Sequence, residues 1–550
     1  MVAAMALSRR ERVIFGVVLL ANLIPIWALR YFPGQDTGNH LYVVEVLRSL
    51  LDGSAEPELT RTFAPALSVK SNLLFHVVML GLCKLGLSVE LAHRLVLSAY
   101  AVAFPLAGLF CVRASGGDPV LALPFLPLVW SWFAVQGLYN YVLSLPPALV
   151  WLGLLARDWR RPRRTAVAAL GLVAVLVYAA HSGTFVAMLF VTAVRVLTDE
   201  NLDDDLFDRP VRLRVLSARG LTFALAPALG LAAFGLVPAA WGSGAQGPPE
   251  VTLAGWETYG VVEAAGSFFV ELAMRYHVPD LLWLGPPVLA LIAIPLAAWR
   301  EPTAGVRRWP LVAAGGLVVL YFALPHIVWG SDACPRLRPL VLFCLAAYAG
   351  VRLSARARQR LATMALICGL GSAGALLRDG VRIGRELDDF ASGAAYVRSG
   401  SRVYPLVFDP RGDSLLIRPY LHAWGYYGLE RHVATPFAFA WHPSRFPLRY
   451  RELPLHAVAS PFPSDAEDEP YALVQGRLCR AVDRFAASVS CAQVRQEAEA
   501  RWATLGRAYD YLLTWAAPGD FTALLRARGY RLVHAQGRLA LYQPPAGAPS

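Results

Sequence analysis

The sequence predicts a polytopic α-helical membrane protein of about eleven spans, with a small extracytoplasmic α/β domain at its C-terminal end. Three observations carry this reading. Of 550 residues, 56% are hydrophobic and only 16% charged, where a soluble globular protein carries about 25% charged residues; the mean hydropathy is +0.45. Apolar runs close to the length needed to cross a bilayer, about 20 residues, recur along most of the chain. Arginines gather in the short segments between those runs, which is the asymmetry that sets orientation in a membrane. The net charge of +12 is therefore read as topology, and nucleic acid is excluded as a partner.

In order, the runs lie at 12–30, 91–112, 119–137, 138–156, a pair within 165–197 divided at His181, Ser182 and Gly183, then 219–240, 280–299, 309–328, 337–353 and 359–377. The first follows the basic SRRER and has no small-residue cleavage site behind it, so it is read as an uncleaved first span. The stretch 66–88 carries Lys70, Asn72, His76 and Lys84 and is amphipathic, suited to the interface. The basic segments are 8–12, Arg113, 157–164, 209–219, 300–308 and 352–360. All of them fall on the cytoplasmic side if 66–88 does not cross. The chain then has a cytoplasmic N-terminus in the inner or plasma membrane. Residues 31–90, 136–141, His181, 241–279, 329–336 and everything after about 378 lie outside. No internal repeat is visible.

Residues 379–550 are more polar. SRVYPLVF reads as a strand, and YDYLLTW, DFTALLRARG and GYRLVHAQGRLALYQ read as strand, helix, strand, turn, strand. The organisation is thus 1–378 for the membrane part and 379–550 for the outer domain. Seven cysteines show neither CxxC nor Cys/His zinc spacing. Cys479 and Cys491 could pair in an oxidising compartment.

Polar groups then stand out at the outer ends of the spans. Asp36 and His40, in PGQDTGNHLYVVEVLRSL, share one face if the segment is helical. A carboxylate at a water–lipid boundary can take a proton from a hydroxyl, although Asp is also a common helix N-cap. Lys70, Asn72 and His76 belong to the same compartment. Asn140 sits with Gln136, Tyr139 and Tyr141 at a turn, where a buried amide needs a partner. His181 marks another outer turn. His326, Asp332, Arg336 and Arg338 cluster in HIVWGSDACPRLRPL. Arginine at the outer face invites either a phosphate, which its fork matches, or pairing with Asp332. The loop 241–279 contributes Trp256, Glu257, Glu263, Glu271, Arg275 and His277 as a covering element.

The segments PGQDTGNHLYVVEVLRSLLDG, SVKSNLLFHVVML, QGLYNYVLSLP, YAAHSGTF and SDACPRLRPL, with a cytoplasmic N-terminus, one span and then an outer carboxylate loop, resemble the C-type glycosyltransferase (GT-C) superfamily of bacterial membrane proteins across about residues 12–377. The resemblance implies sugar transfer from a polyprenyl-phosphate donor to a glycan, lipid or protein acceptor at the outer face. It makes Asp36 and His40 the catalytic pair. It makes Lys70, Asn72, His76, Asn140, His181, His326, Asp332, Arg336 and Arg338 candidates for holding substrate or phosphate. No cofactor is called for, and a divalent metal is compatible with this chemistry. Two departures accompany it. Asp36 is followed by Thr37 rather than a second acid, and the fourth-to-fifth-span region offers Asn140 in place of a carboxylate. A non-catalytic scaffold whose outer domain binds an envelope partner, or a transporter, are the competing expectations.

Overall fold

The structure is a computed structural model that describes residues 6–67, 70–159, 164–198, 256–257, 259–299, 308–328, 331–332, 334–348, 353–440, 446–451 and 508–545. The apolar run 219–240 and both C-terminal cysteines lie outside the described residues. The helices are α1 (Arg9–Ala28), α2 (Thr37–Asp52), α3 (Pro57–Thr62), α4 (Leu74–Lys84), α5 (Val89–Ser115), α6 (Trp132–Gln136), α7 (Tyr139–Asp158), α8 (Arg164–Ala180), α9 (Ser182–Leu197), α10 (Val261–Ala273), α11 (Leu281–Trp299), α12 (Trp309–Ala323), α13 (Arg338–Ala346), α14 (Ala355–Ser392), α15 (Gly425–Arg431) and α16 (Gly519–Ala527). Among the described residues six helical stretches are long and apolar enough to cross a bilayer: Arg9–Ala28, Val89–Ser115, Pro119–Gln136, Tyr139–Asp158, Val278–Ala298 and Ala355–Tyr396. Helices α4, α8, α9 and α12 are apolar but shorter.

Local sequence accounts for where these helices start. Ser8, Ser88 and Ser354 each accept a backbone N–H from the first turn of α1, α5 and α14, and Glu11 completes a capping box with Ser8. The start of α14 also holds the bundle together. Arg358 reaches Glu11 at 2.7 Å and Asp118 at 2.6 Å, and both carboxylates are buried. At the other end of α1, Arg30 pairs with Asp388 of α14 at 2.8 Å. Helices α1 and α14 therefore run parallel, and the basic segments 8–12 and 352–360 share one end of the bundle.

Helix α4 starts and finishes at the opposite end. Its first turn is held by Asn140, and the helix that follows, α5, begins beside the carbonyl of Leu29, to which Arg94 donates at 3.1 Å. Eleven residues of helix span about 16 Å, too little for a hydrocarbon core of about 30 Å. The amphipathic reading of 66–88 and this geometry have the same cause: Lys70, Asn72 and His76 need polar partners and find them at the bundle end.

Helix α14 has 38 residues, about 57 Å at 1.5 Å per residue. It outruns the bilayer and carries the chain beyond it. The change of composition near residue 378 is therefore the point where a continuous helix turns charged, not a break between elements. Beyond it, β5 (Val403–Val407), β7 (Tyr511–Trp515), β8 (Arg531–Gln536) and β9 (Leu539–Gln543) form one sheet in the order β5-β7-β9-β8. Strands β5 and β7 are parallel and the other pairs antiparallel. One face of the sheet packs on α16 through Phe521 and Leu525. The other packs on α14, where Phe390 lies 5.1 Å from Trp515. The tail also pairs with the segment after α2: β1 (Phe63–Pro65) lies antiparallel to β6 (Leu448–Tyr450). Two small pairings, among β2 (Trp256–Glu257), β3 (Ile327–Val328) and β4 (Ser331–Asp332), join later segments of the chain.

Candidate active site at the start of α2

Asp36 occupies the N-cap position of α2, yet its side chain makes no capping bond. Its backbone is held instead. Gln35 and Asp36 donate their N–H groups to the carbonyls of Val135 at 2.9 Å and Gln136 at 3.1 Å. This clasps the loop between α1 and α2 to the turn between α6 and α7. Gly137 in that turn has φ +92°, and a Cβ there would stand 2.8 Å from Asp36 Cβ. Only glycine permits both the left-handed backbone and the close approach.

The carboxylate is half-buried and faces His422, whose Nε2 lies 3.5 Å from Asp36 Oδ1. Gln35 Nε2 donates to the same oxygen at 3.3 Å. A chain of bonds defines the His422 tautomer. Phe439 N–H donates to Asn39 Oδ1 at 3.0 Å, which fixes the orientation of that amide. Its Nδ2 then faces Phe437 O at 3.1 Å and His422 Nδ1 at 3.4 Å. With Nδ1 accepting, the ring proton sits on Nε2 and points to Asp36. Burial pushes His422 down to about 3, with the neighbouring His40 ring and the Arg418 cation acting in the same direction, so the ring is neutral. Arg418 is tied into the site by its N–H, which donates to Gln35 Oε1 at 3.0 Å.

His40 lies one turn along α2. Its Nδ1 stands 3.1 Å from His76 Nε2, and its ring is enclosed by Phe75, Tyr139 and Phe439. Burial holds it near 3 against a bond to the Gly137 backbone that acts the other way. Asn140 supplies the partner that its amide requires. Its Oδ1 accepts from Phe75 N–H at 2.8 Å, and its Nδ2 donates to Asn72 O at 2.7 Å and lies 3.5 Å from His76 Nδ1. Asn72 takes a left-handed φ of 62° there. Lys70 donates to Phe446 O at 2.8 Å. Six of the sequence candidates, Asp36, His40, Lys70, Asn72, His76 and Asn140, thus come together around one turn.

The rest form a second group. Arg336 Nη1 lies 3.0 Å from His181 Nε2, and Tyr141 donates to the Arg336 carbonyl at 2.7 Å. His326 stacks on Tyr259 at 4.6 Å and accepts its N–H at 3.3 Å. Asp332 pairs through its backbone with Ile327. Arg338 corrects an expectation. It is fully buried, bonded to Glu271, to the carbonyl of Ser267 and, at 2.8 Å, to that of Pro335. It is out of reach of solvent and each of its three nitrogens is bonded inside the protein, so it does not offer itself to a phosphate. Among the described residues no group of three or more His, Cys, Asp or Glu is arranged to hold a metal ion.

Sequence reasoning missed His422, Arg418 and the Thr37–Tyr139 pair, whose oxygens are 2.5 Å apart. His422 and Arg418 lie some 380 residues from Asp36 and carry no local motif. Thr37 and Tyr139 flank residues that were singled out, and their hydroxyls were the available signal.

The chain is thus a helical membrane bundle with a carboxylate at the start of α2 and a sheet packed on the end of α14, and this fold has solved counterparts. Over 98% of both chains it is similar to the crystal structure of ArnT from Cupriavidus metallidurans bound to undecaprenyl phosphate, with a TM-score of 0.51 and 12% identity. The apo state of the same protein gives a TM-score of 0.50, with the same identity and coverage. No family model and no curated protein matches the sequence.

Proposed function

We propose that the protein is a membrane glycosyltransferase that moves a sugar from a polyprenyl-phosphate donor to an acceptor hydroxyl at the outer face of the inner membrane. The supporting fold likeness includes a structure bound to undecaprenyl phosphate. The observation that carries the reading is the Asp36 carboxylate, which stands at an N-cap position, declines to cap, and faces a neutral His422. A helix-capping role would have used that oxygen on the first-turn N–H groups.

In this reaction Asp36 accepts the proton of the acceptor hydroxyl. The acceptor oxygen attacks the anomeric carbon, the bond from that carbon to the phosphate oxygen breaks, and the polyprenyl phosphate leaves with the electron pair. His422 is a positioning residue that holds the carboxylate through Nε2–H. His40, His76 and Asn140 brace the turn against α4. Arg418 and Arg336 are the cations we assign to the departing phosphate, where a guanidinium matches the developing charge. The topology that goes with this reading has eleven spans, a cytoplasmic N-terminus and residues 379–550 outside.

The test is an envelope profile from a strain lacking the protein. Restoring it with wild type returns a missing sugar, and Asp36→Asn does not. A scaffold would be equally well served by Asp36→Asn and would fail on removal of the outer sheet.

A further inference from the structure

Between α10 and α11 the chain turns at residues 275–280, and Asp280 organises the turn. Its carboxylate pairs with Arg275 at 2.9 Å and accepts the backbone N–H groups of Arg275 at 3.1 Å, Tyr276 at 2.9 Å and His277 at 3.2 Å. Both charged side chains of the pair are buried. Arg275 Nη2 also donates to the carbonyl of Ser372 in α14 at 3.2 Å. Four donors on one buried carboxylate fix the turn, and the Ser372 bond seats it on α14.

Tyr276 stands on that base and is fully buried. Only its N–H is used to anchor it. Its other polar groups go to two different segments. The hydroxyl donates to the carbonyl of Pro33, three residues before Asp36. The carbonyl accepts the N–H of Leu415 at 2.8 Å, in the segment that carries Arg418 and His422. Local bonds leave little slack beyond either contact. Gly34 N–H donates to Phe32 O at 2.8 Å and Thr37 N–H to Gly34 O at 3.3 Å. Ile417 N–H donates to Ser414 Oγ at 3.1 Å, and Leu421 N–H to Arg418 O at 3.1 Å. A shift at Pro33 or Leu415 is therefore passed on to Asp36 or His422.

That matters because the Asp36–His422 contact, at 3.5 Å, is already long for an N–H···O bond. A small displacement of one segment breaks it. Gln35 and Arg418 join the two segments through a side-chain amide. Tyr276 joins them through a buried, fixed base.

We infer that Tyr276 is a positioning residue of the site: it holds the loop of Asp36 and the segment of His422 at one spacing, acting through Pro33 and Leu415. Its consequence for transfer rests on the transferase reading. The tie itself does not.

The experiment has two arms, both on the full chain with Tyr276→Phe, which removes the hydroxyl and leaves the Pro33 carbonyl without that donor. The first is hydrogen exchange read by mass spectrometry in phosphatidylcholine nanodiscs. Faster exchange is expected in the peptides spanning 31–37 and 413–422, with β7 and β9 unchanged. Exchange unchanged in both peptides, or raised throughout the molecule, would overturn the proposal. The second arm is the initial rate at which the missing glycoconjugate returns to a strain lacking the protein, at equal membrane abundance. Tyr276→Phe should slow it about tenfold, as misplaced catalytic groups do. Added to His422→Phe it should slow it by less than about twofold more, because both changes remove one contact. A full tenfold loss on top of His422→Phe, or a wild-type rate for Tyr276→Phe while Asp36→Asn is inactive, would overturn the positioning role alone. The expected exchange pattern with a silent Asp36→Asn would overturn the transferase reading and leave the tie standing.

Discussion

At the scale of single residues, the account rests on which polar groups are engaged by the protein and which face the site. His422 is held neutral with its proton toward Asp36, so His422→Phe should lower transfer by about tenfold to a hundredfold, the usual range for a lost positioning hydrogen bond at an active site. His422→Gln, which keeps a donor, should recover part of it, and initial rates at saturating donor would show the order. The buried histidines also set a pH dependence of stability. His40 and His422 sit near 3 in the folded chain, against an ordinary value of 6.5. Between those values the unfolded chain binds protons that the folded chain does not. Their contribution is full above about pH 6.5 and is lost as pH falls toward 3. The thermal midpoint should therefore be flat above neutrality and fall below it, and His422→Phe should shrink that fall. The two arginines separate in the same way. Arg338→Ala leaves Glu271 without its cation and removes the bonds to Ser267 and Pro335, so it should act on folding, at about 3–5 kcal/mol for a broken buried pair. Arg336→Ala should act on donor KM.

At the scale of elements, close backbone approach holds the segment around His422 and α15 on α2. A Cβ on Gly38 would run into the carbonyl of His422, and one on Gly425 into that of Gly38. Helices α2 and α15 meet backbone to backbone, and this contact sets His422 opposite Asp36. Gly425→Ala should cost about 1–3 kcal/mol by overpacking and should lower transfer together with the unfolding temperature. Differential scanning fluorimetry beside the transfer assay measures both. Much at this scale was legible in the sequence. Alternation and turn residues in the last 40 residues predict strand, helix, strand, turn, strand, and β7, α16, β8 and β9 follow in that order. The amphipathic 66–88 segment holds the short helix α4. The helical reading of 36–50 is met by α2. What local pattern could not reveal is the pairing of distant segments. Glu271 with Arg338, Asn39 with His422, and β1 with β6 are long-range contacts between residues that look ordinary where they stand.

At the scale of the whole molecule, one hydrophobic core runs from α1 through the bundle to α14, α15 and the inner face of the outer sheet. Composition alone announced a membrane protein, and the fold is similar to that of ArnT from Cupriavidus metallidurans. The change near residue 378 was visible too, but that it falls inside one continuous helix, α14, needed the structure. The bundle's far end depends on Arg358. Arg358→Ala would strand Glu11 and Asp118 as buried anions and should cost several kcal/mol, lowering the detergent-solubilised unfolding temperature, whereas Arg358→Lys should lose less.

The central claim is that Asp36 is the base of a sugar transfer. The most direct measurement is mass spectrometry of envelope glycans and glycolipids in a strain lacking the protein, complemented with wild type or with Asp36→Asn at equal membrane abundance. The account predicts a glycoconjugate that disappears on deletion, returns with wild type and stays absent with Asp36→Asn. Full return with Asp36→Asn, or an unchanged profile on deletion, would contradict it.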